Sequence, residues 1–176
     1  MEGKVALEEH FLAGPRHKFG IIMWLAIVAL GYCHIAASRD GGTDATDESD
    51  IRNTLTAYNT ALNRGETSMV MPLYTEDGVF MPPYSQSAVG QQAVRKAYDA
   101  VFPELKFRVK FNVAEIVVIA PTWAFVRTNS AGTTDHRSTG KTTAESNQEL
   151  FILRKDRDAR WRIARYSFSP TSPPDS

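Results

Sequence analysis

The chain carries a single cysteine, Cys33, among 176 residues, which excludes an internal disulfide and any zinc site built on thiolates. Histidine is scarce too. His10, His17 and His34 sit near the start and His136 stands alone, so no cluster has the spacing of metal ligands. Neither sign of charge is in excess, since 20 Lys and Arg balance 20 Asp and Glu. A nucleic-acid binder needs a basic surplus to neutralise phosphates, and none is expected as a partner. The one basic cluster, Arg154 to Arg165, is broken by Asp156 and Asp158 and reads as a solvated hairpin tip. Phosphate-cradling and dinucleotide-binding motifs are missing. No nucleotide, flavin or metal cofactor is therefore expected.

What the chain does have is one long apolar run. FGIIMWLAIVALGYCHIAA, Phe19 to Ala37, follows Arg16, His17 and Lys18, the basic-apolar-small order of an export signal. Ala36, Ala37 and Ser38 supply small residues for cleavage, which predicts a mature chain beginning near Arg39. A retained anchor is the second reading, because a bilayer takes about 20 apolar residues; Leu30-Gly31-Tyr32-Cys33 as a lipoprotein box is the third. The expected location is secreted or periplasmic, or membrane-anchored through residues 19–37. Residues 39–46 read as a linker containing Gly41-Gly42, 47–170 as one domain, and 171–176 as a tail whose paired prolines fit no helix or central strand. The opening MEGKVALEEHF resembles the start of amidohydrolase-type aromatic-acid decarboxylases, with Glu8 and His10 at their first metal positions. Such enzymes are barrels of about 250 residues, and no barrel follows here.

Within the domain, periodicity predicts helices first and strands after. Ile51, Leu55, Tyr58 and Leu62 share one helical face, with Asp47 or Ser49 as cap and Gly65 as stop. Thr67 to Tyr74 makes a second short helix, Asp77-Gly78 a turn, and Val79-Phe80-Met81 a strand halted by Pro82 and Pro83. Gly90 to Phe102 forms a third helix. Four long strands are expected at about Lys106–Ile119, Trp123–Ala131, Thr142–Arg154 and Arg160–Ser169, with Pro121 and the stretch from Gly132 to Gly140 as turns. The last two bracket a polar turn in NQELFILRKDRDARWRIARYSFSP and form a closing β-hairpin. This is an α+β plan.

That ordered series resembles the NTF2-like superfamily, in particular its SnoaL-like and SgcJ/YybH-type small proteins, and less closely the association domain of calmodulin-dependent kinase II. YNTALNRGETSMVMPLYTEDGVF is similar to the superfamily's helix–turn–helix–strand opening, with Asn63-Arg64-Gly65-Glu66 as the joining loop. The resemblance implies a curved antiparallel sheet wrapped over three N-terminal helices as a cone, and a homodimer formed through the sheet. It also implies a cavity for a small apolar molecule with a polar or carboxylate end.

Ketosteroid isomerases share the plan. Aligning TAYNTALNRGE with their first helix places Tyr58 at their oxyanion-stabilising tyrosine and Glu149 at the protonated acid that assists it. The resemblance thus implies Tyr58 and Glu149 as catalytic residues polarising a carbonyl or enolate. Their general base does not carry over, because Met81-Pro82-Pro83 stands where they have an aspartate. The inward arginine of the kinase association domain corresponds to Arg127. Alternation along the same strand puts Trp123, Phe125, Arg127 and Asn129 on one face, so Arg127 and Asn129 are candidate ligand contacts, Arg127 either clamping a carboxylate or pairing with Glu149. Phe80, Tyr98, Tyr166 and Phe168 are the candidate apolar lining. Alternation sets Ala164, Tyr166 and Phe168 on one face of the last strand, with Trp161, Ile163 and Arg165 on the other. His136 is expected in solvent. Isomerisation, cyclisation or dehydration without a cofactor is one expectation; a non-catalytic carrier or oligomerising hub is the other.

Overall fold

The computed structural model describes residues 41–171, with side chains from residue 45. The expected leader, its cleavage and anchor motifs, and the residues after 171 lie outside the described residues.

Helix α1 spans Gly41–Arg64 and buries Ile51, Leu55, Tyr58 and Ala61, three or four residues apart on one stripe. It begins within the stretch expected as a linker, ahead of Asp47 and Ser49. Asp47 does not act as the cap; it accepts a hydrogen bond from Trp161 Nε1 at 3.1 Å and pairs with Lys155. Gly65, at φ 70°, ends the helix in the left-handed conformation that glycine adopts without strain. Helix α2, Thr67–Val70, runs into a 3₁₀ turn, Met71–Leu73, and α3 covers Gln91–Val101 with Val94 and Tyr98 buried.

There are six strands among the described residues, two before α3, β1 Tyr74–Met81 and β2 Ala88–Val89, and four after it, β3 Leu105–Ala120, β4 Trp123–His136, β5 Lys141–Lys155 and β6 Trp161–Pro170. They form one curved, unclosed sheet in the order β2-β1-β6-β5-β4-β3. Pairing is antiparallel except between β1 and β6, which run parallel. Helices on one face of a curved sheet give the α+β, NTF2-like cone.

Two asparagines of α1 fix the helix to the sheet. Asn59 and Asn63 donate to the Val109 carbonyl at 2.9 and 2.8 Å, and Val109 N–H donates back to Asn63 Oδ1 at 2.9 Å. Asn63, expected in the joining loop, thus stands in the last turn of α1 and holds helix and strand a fixed distance apart, and that gap becomes a cavity.

Three irregularities were not visible in the alternation. Strand β1 starts at Tyr74 and slips register before Val79; a Cβ at Gly78 would lie 2.8 Å from Tyr74 Cδ1, so the glycine sits inside a bulge where a turn was expected. Between Ile152 and Leu153 the β5–β6 register also shifts. Trp161, Ile163, Ala164 and Tyr166 are consequently all buried, so members of both faces expected for β6 turn inward, while Arg165 stays half-buried and donates to the Asp77 carbonyl. Strand β4 continues through Gly132 to His136, which is half-buried and hydrogen-bonded through Nε2 to Thr143 Oγ1 at 2.9 Å. Gly132 is thus a close-approach residue within a strand.

Candidate functional site

Between the helices and the concave face of the sheet lies a cavity of about 390 Å³. Its apolar side is an aromatic ladder. Phe80 stacks on Tyr98 at 5.1 Å and on Tyr166 at 5.5 Å, and Tyr166 stacks on Phe168 at 5.7 Å between ring centroids. Phe107 and Phe111 from β3 complete that side. The four expected lining residues, Phe80, Tyr98, Tyr166 and Phe168, all stand on the cavity wall.

Tyr58 reaches the same wall from α1 and is 1% exposed. Its hydroxyl lies 2.6 Å from that of Tyr98, which lies 3.0 Å from that of Tyr74. Tyr74, read from sequence as the end of a helix, was the missed member of this chain of phenols. Burial pushes Tyr58, Tyr74, Tyr98 and Tyr166 well above the ordinary tyrosine value, and the nearby Glu149 charge adds to the rise at Tyr166 and Tyr58. All four therefore keep their protons at neutral pH. A relay of phenols ending on the cavity wall is a hydrogen-bond donor held in place by its neighbours.

Glu149 faces inward from β5 and is 6% exposed. Burial raises its carboxyl above the usual carboxylate range, while the hydroxyls of Thr128 and Ser130 oppose the rise. Thr128 Oγ1 donates to its Oε2. Tyr58 and Glu149, paired from sequence, are thus brought to one cavity.

A raised native value means that ionising Glu149 costs more in the folded than in the unfolded chain. The native state then loses stability as pH rises from the ordinary carboxylate value, near pH 4, through the raised one, and the penalty is constant above it. Glu149→Gln removes the penalty and can still accept from Thr128. Its thermal midpoint is expected to gain on the parent between about pH 4 and pH 8. A difference that stays flat across a pH series of melts would mean Glu149 ionises as freely in the fold as in water.

Arg127 and Asn129 are not in the cavity. The inward residues of β4 are Ala124, Val126, Thr128 and Ser130, all buried, whereas Arg127 and Asn129 are exposed on the far face. Arg127 pairs there with Glu115 at 2.6 Å, not with Glu149. The phase was misjudged because Trp123 and Phe125 are the larger apolar residues; they lie on the outer face, where Phe125 pairs with Val117 and Ile152 and Trp123 with Ala120 and Arg154. Asp77 also lies outside the cavity, held by Arg154 at 2.9 Å, which lowers its carboxyl's pKa. In place of Arg127 and Asn129, the inward polar residues are Ser130, Glu145 and Asn147. For Glu145 and Asn147, both on β5, the available signal was the alternation of Glu145, Asn147, Glu149, Phe151 and Leu153; Ser130, on β4, had none.

A cone of helices and sheet around an apolar cavity with a few convergent polar groups is the architecture of the NTF2-like superfamily. The SnoaL-like domain family matches residues 55–164, and the chain belongs to it. A ketosteroid isomerase-like protein from Erwinia carotovora atroseptica is 38% identical, with a TM-score of 0.69 over 71% of this chain and 96% of that one. Two more distant structures share the fold. One is a putative scytalone dehydratase from Novosphingobium aromaticivorans, 16% identical with TM-score 0.65 over 74% of this chain and 88% of that one. The other is a hexachlorocyclohexane dehydrochlorinase from Novosphingobium barchaimii, 8% identical with TM-score 0.67 over 74% of this chain and 90% of that one. No curated protein matches. No described helix is long and apolar enough to cross a membrane.

Proposed function

We propose that this domain binds a small, mostly apolar carbonyl compound and catalyses a proton-transfer reaction on it, an isomerisation, cyclisation or dehydration that needs no cofactor. The observation that carries this reading is the convergence of a buried phenol, Tyr58, and a buried carboxyl of raised pKa, Glu149, on one apolar cavity. The phenol, and the carboxyl in its protonated form, can donate to one oxygen and stabilise the charge that develops there as a carbonyl becomes an enolate and its α-proton passes to water. The similarity to a ketosteroid isomerase-like protein points the same way.

We also take the protein to be exported, from its leader, and to pair with a second copy through the outer face of the sheet. On that face Leu150 and Ile119 remain 45% and 60% exposed beside the Phe125 stripe, an apolar area of the kind that marks an interface.

The rival reading is a carrier or oligomerising hub without turnover. It is favoured by Pro82, which lines the cavity within the Met81-Pro82-Pro83 segment that stands where the isomerases have their base. Exchange of the α-protons of 1-tetralone in D₂O, followed by NMR, separates the two. The enzyme reading expects accelerated exchange that Tyr58→Phe and Glu149→Gln each lower by about 10²–10³-fold while binding persists. Binding without any acceleration in the parent protein would decide for the carrier.

A further inference from the structure

We infer that Glu145 is the base of this site, the group that takes the α-proton from the ligand and hands it on to water. This deepens the proposed function and rests on the carbonyl lying at Tyr58 and Glu149.

The wall offers few groups that can accept a proton. Pro82 lines it in the segment where the isomerases have their base, and its side chain accepts none. Tyr58, Tyr98 and Tyr166 keep their own protons, because burial raises all three. Asp77 is outside the cavity and paired with Arg154, and His136 is bonded to Thr143 away from the wall. Among the described residues of the wall, two carboxyls remain, Glu145 and Glu149.

Their surroundings divide the work between them. Glu149 is 6% exposed, and burial raises its carboxyl, which favours the protonated form that donates to a carbonyl. Glu145 is half-buried, in contact with both the cavity and solvent. Its Oε2 accepts from Asn147 Nδ2 at 3.3 Å, which orients the carboxylate. The described wall residues include no Lys, Arg or His to occupy that carboxylate, so its remaining lone pairs are open to a C–H proton. Two carboxyls in unlike settings can serve one as acid and the other as base.

Side-chain hydrogen bonds set the distance between the two. The Asn147 nitrogen that donates to Glu145 also donates to Ser130 Oγ at 3.3 Å, and Ser130 in turn hydrogen-bonds Glu149. Three hydrogen-bond lengths, roughly 10 Å, are therefore the most that separates the linked oxygens of the two carboxyls. That span holds, in a line, a hydrogen bond from Glu149 to a carbonyl oxygen, the ketone's α-carbon and a carboxylate beyond it.

The step is a proton transfer. The α C–H bond breaks, its electron pair enters the enolate that Tyr58 and Glu149 stabilise, and the proton becomes the O–H of Glu145. The half-exposed carboxyl exchanges that proton with water. In D₂O a deuteron then returns from Glu145 to carbon.

Exchange of the α-protons of 1-tetralone by the full chain in D₂O, with calorimetric titration of the same ketone, tests this. Glu145→Gln is expected to lower exchange by about 10²–10⁴-fold and to leave the affinity for 1-tetralone unchanged. Glu145→Ala should lose exchange as well and regain it on addition of formate, a free carboxylate small enough for the vacated space. Exchange in Glu145→Gln as fast as in the parent overturns the inference, and so does a loss in Glu145→Ala that formate does not restore. If Tyr58→Phe still slows exchange, the carbonyl reading survives either result. Absence of accelerated exchange in the parent removes both.

Discussion

Phe151→Ala is expected to lower the free energy of unfolding by about 3–5 kcal/mol. The side chain is fully buried, at 0% exposed, and sits at the junction of sheet, helix and cavity. It stacks on Tyr166 at 4.2 Å with an interplanar angle of 7°, and meets Tyr58 edge-on at 5.7 Å between centroids. Removing the ring leaves a hole that the ladder of β5 and β6 hydrogen bonds keeps from collapsing. The void adjoins the existing cavity, so Tyr166 and Tyr58 both lose the surface that sets their position. Urea unfolding monitored by tryptophan fluorescence measures the loss; a change below about 1 kcal/mol would mean that the neighbouring rings refill the space. Phe151→Leu, which keeps most of the volume, is expected to cost under about 1.5 kcal/mol.

Gly132→Ala is the second large effect. A Cβ there would stand 2.0 Å from the Arg108 carbonyl oxygen and 2.7 Å from Val109 Cα, both backbone atoms of the neighbouring strand. Neither can swing aside as a side-chain tip would, and the backbone at φ 157° is one that side-chain-bearing residues rarely adopt. β3 and β4 must separate at the place where Val109 is gripped by Asn59 and Asn63. We expect a loss of about 3 kcal/mol or more, on the scale of other strained backbone sites, together with weaker ligand binding, because Val109 lines the cavity. A Gly132→Ala protein that melts within a degree or two of the parent would show that the strand pair opens at little cost.

The order of elements was legible from the sequence because each long segment holds one period: the stripe of α1, the alternation of β5, the polar tip of the closing hairpin. Phase and register were less so. In Trp123 to Ser130 both faces are plausible interiors, since one carries Trp123 and Phe125 and the other Ala124 and Val126. The smaller set faces the helices because one part of the sheet's outer face, Phe125 with Val117 and Ile152, is itself apolar, a fact of tertiary packing that no local pattern encodes. The irregularity around Gly78 puts three extra residues into β1 and the bulge near Ala164 one into β6, odd numbers that each reverse every later facing assignment. The placing of Tyr58, Glu149 and the aromatic residues around one cavity could be anticipated through the family resemblance and the alternation. Ser130 and Asn147 were missed because small polar side chains look alike inside and outside a sheet.

The parallel pairing of β1 with β6 also sets an order of events. Tyr74 pairs with Ile163 and Phe80 with Tyr166, so the strand that opens the sheet has its principal partner at the far end of the domain. Closing so long a loop is entropically slow, and contacts of this range form late. As the chain leaves the ribosome, the aromatic surfaces of Phe80 and Tyr98 must wait for the final hairpin before they are covered. Until then they are the exposed, adhesive part of the nascent protein. The pocket that receives the ligand is thus the last part of the domain to exist, and a bound ligand would act on the step that commits the chain to its native state.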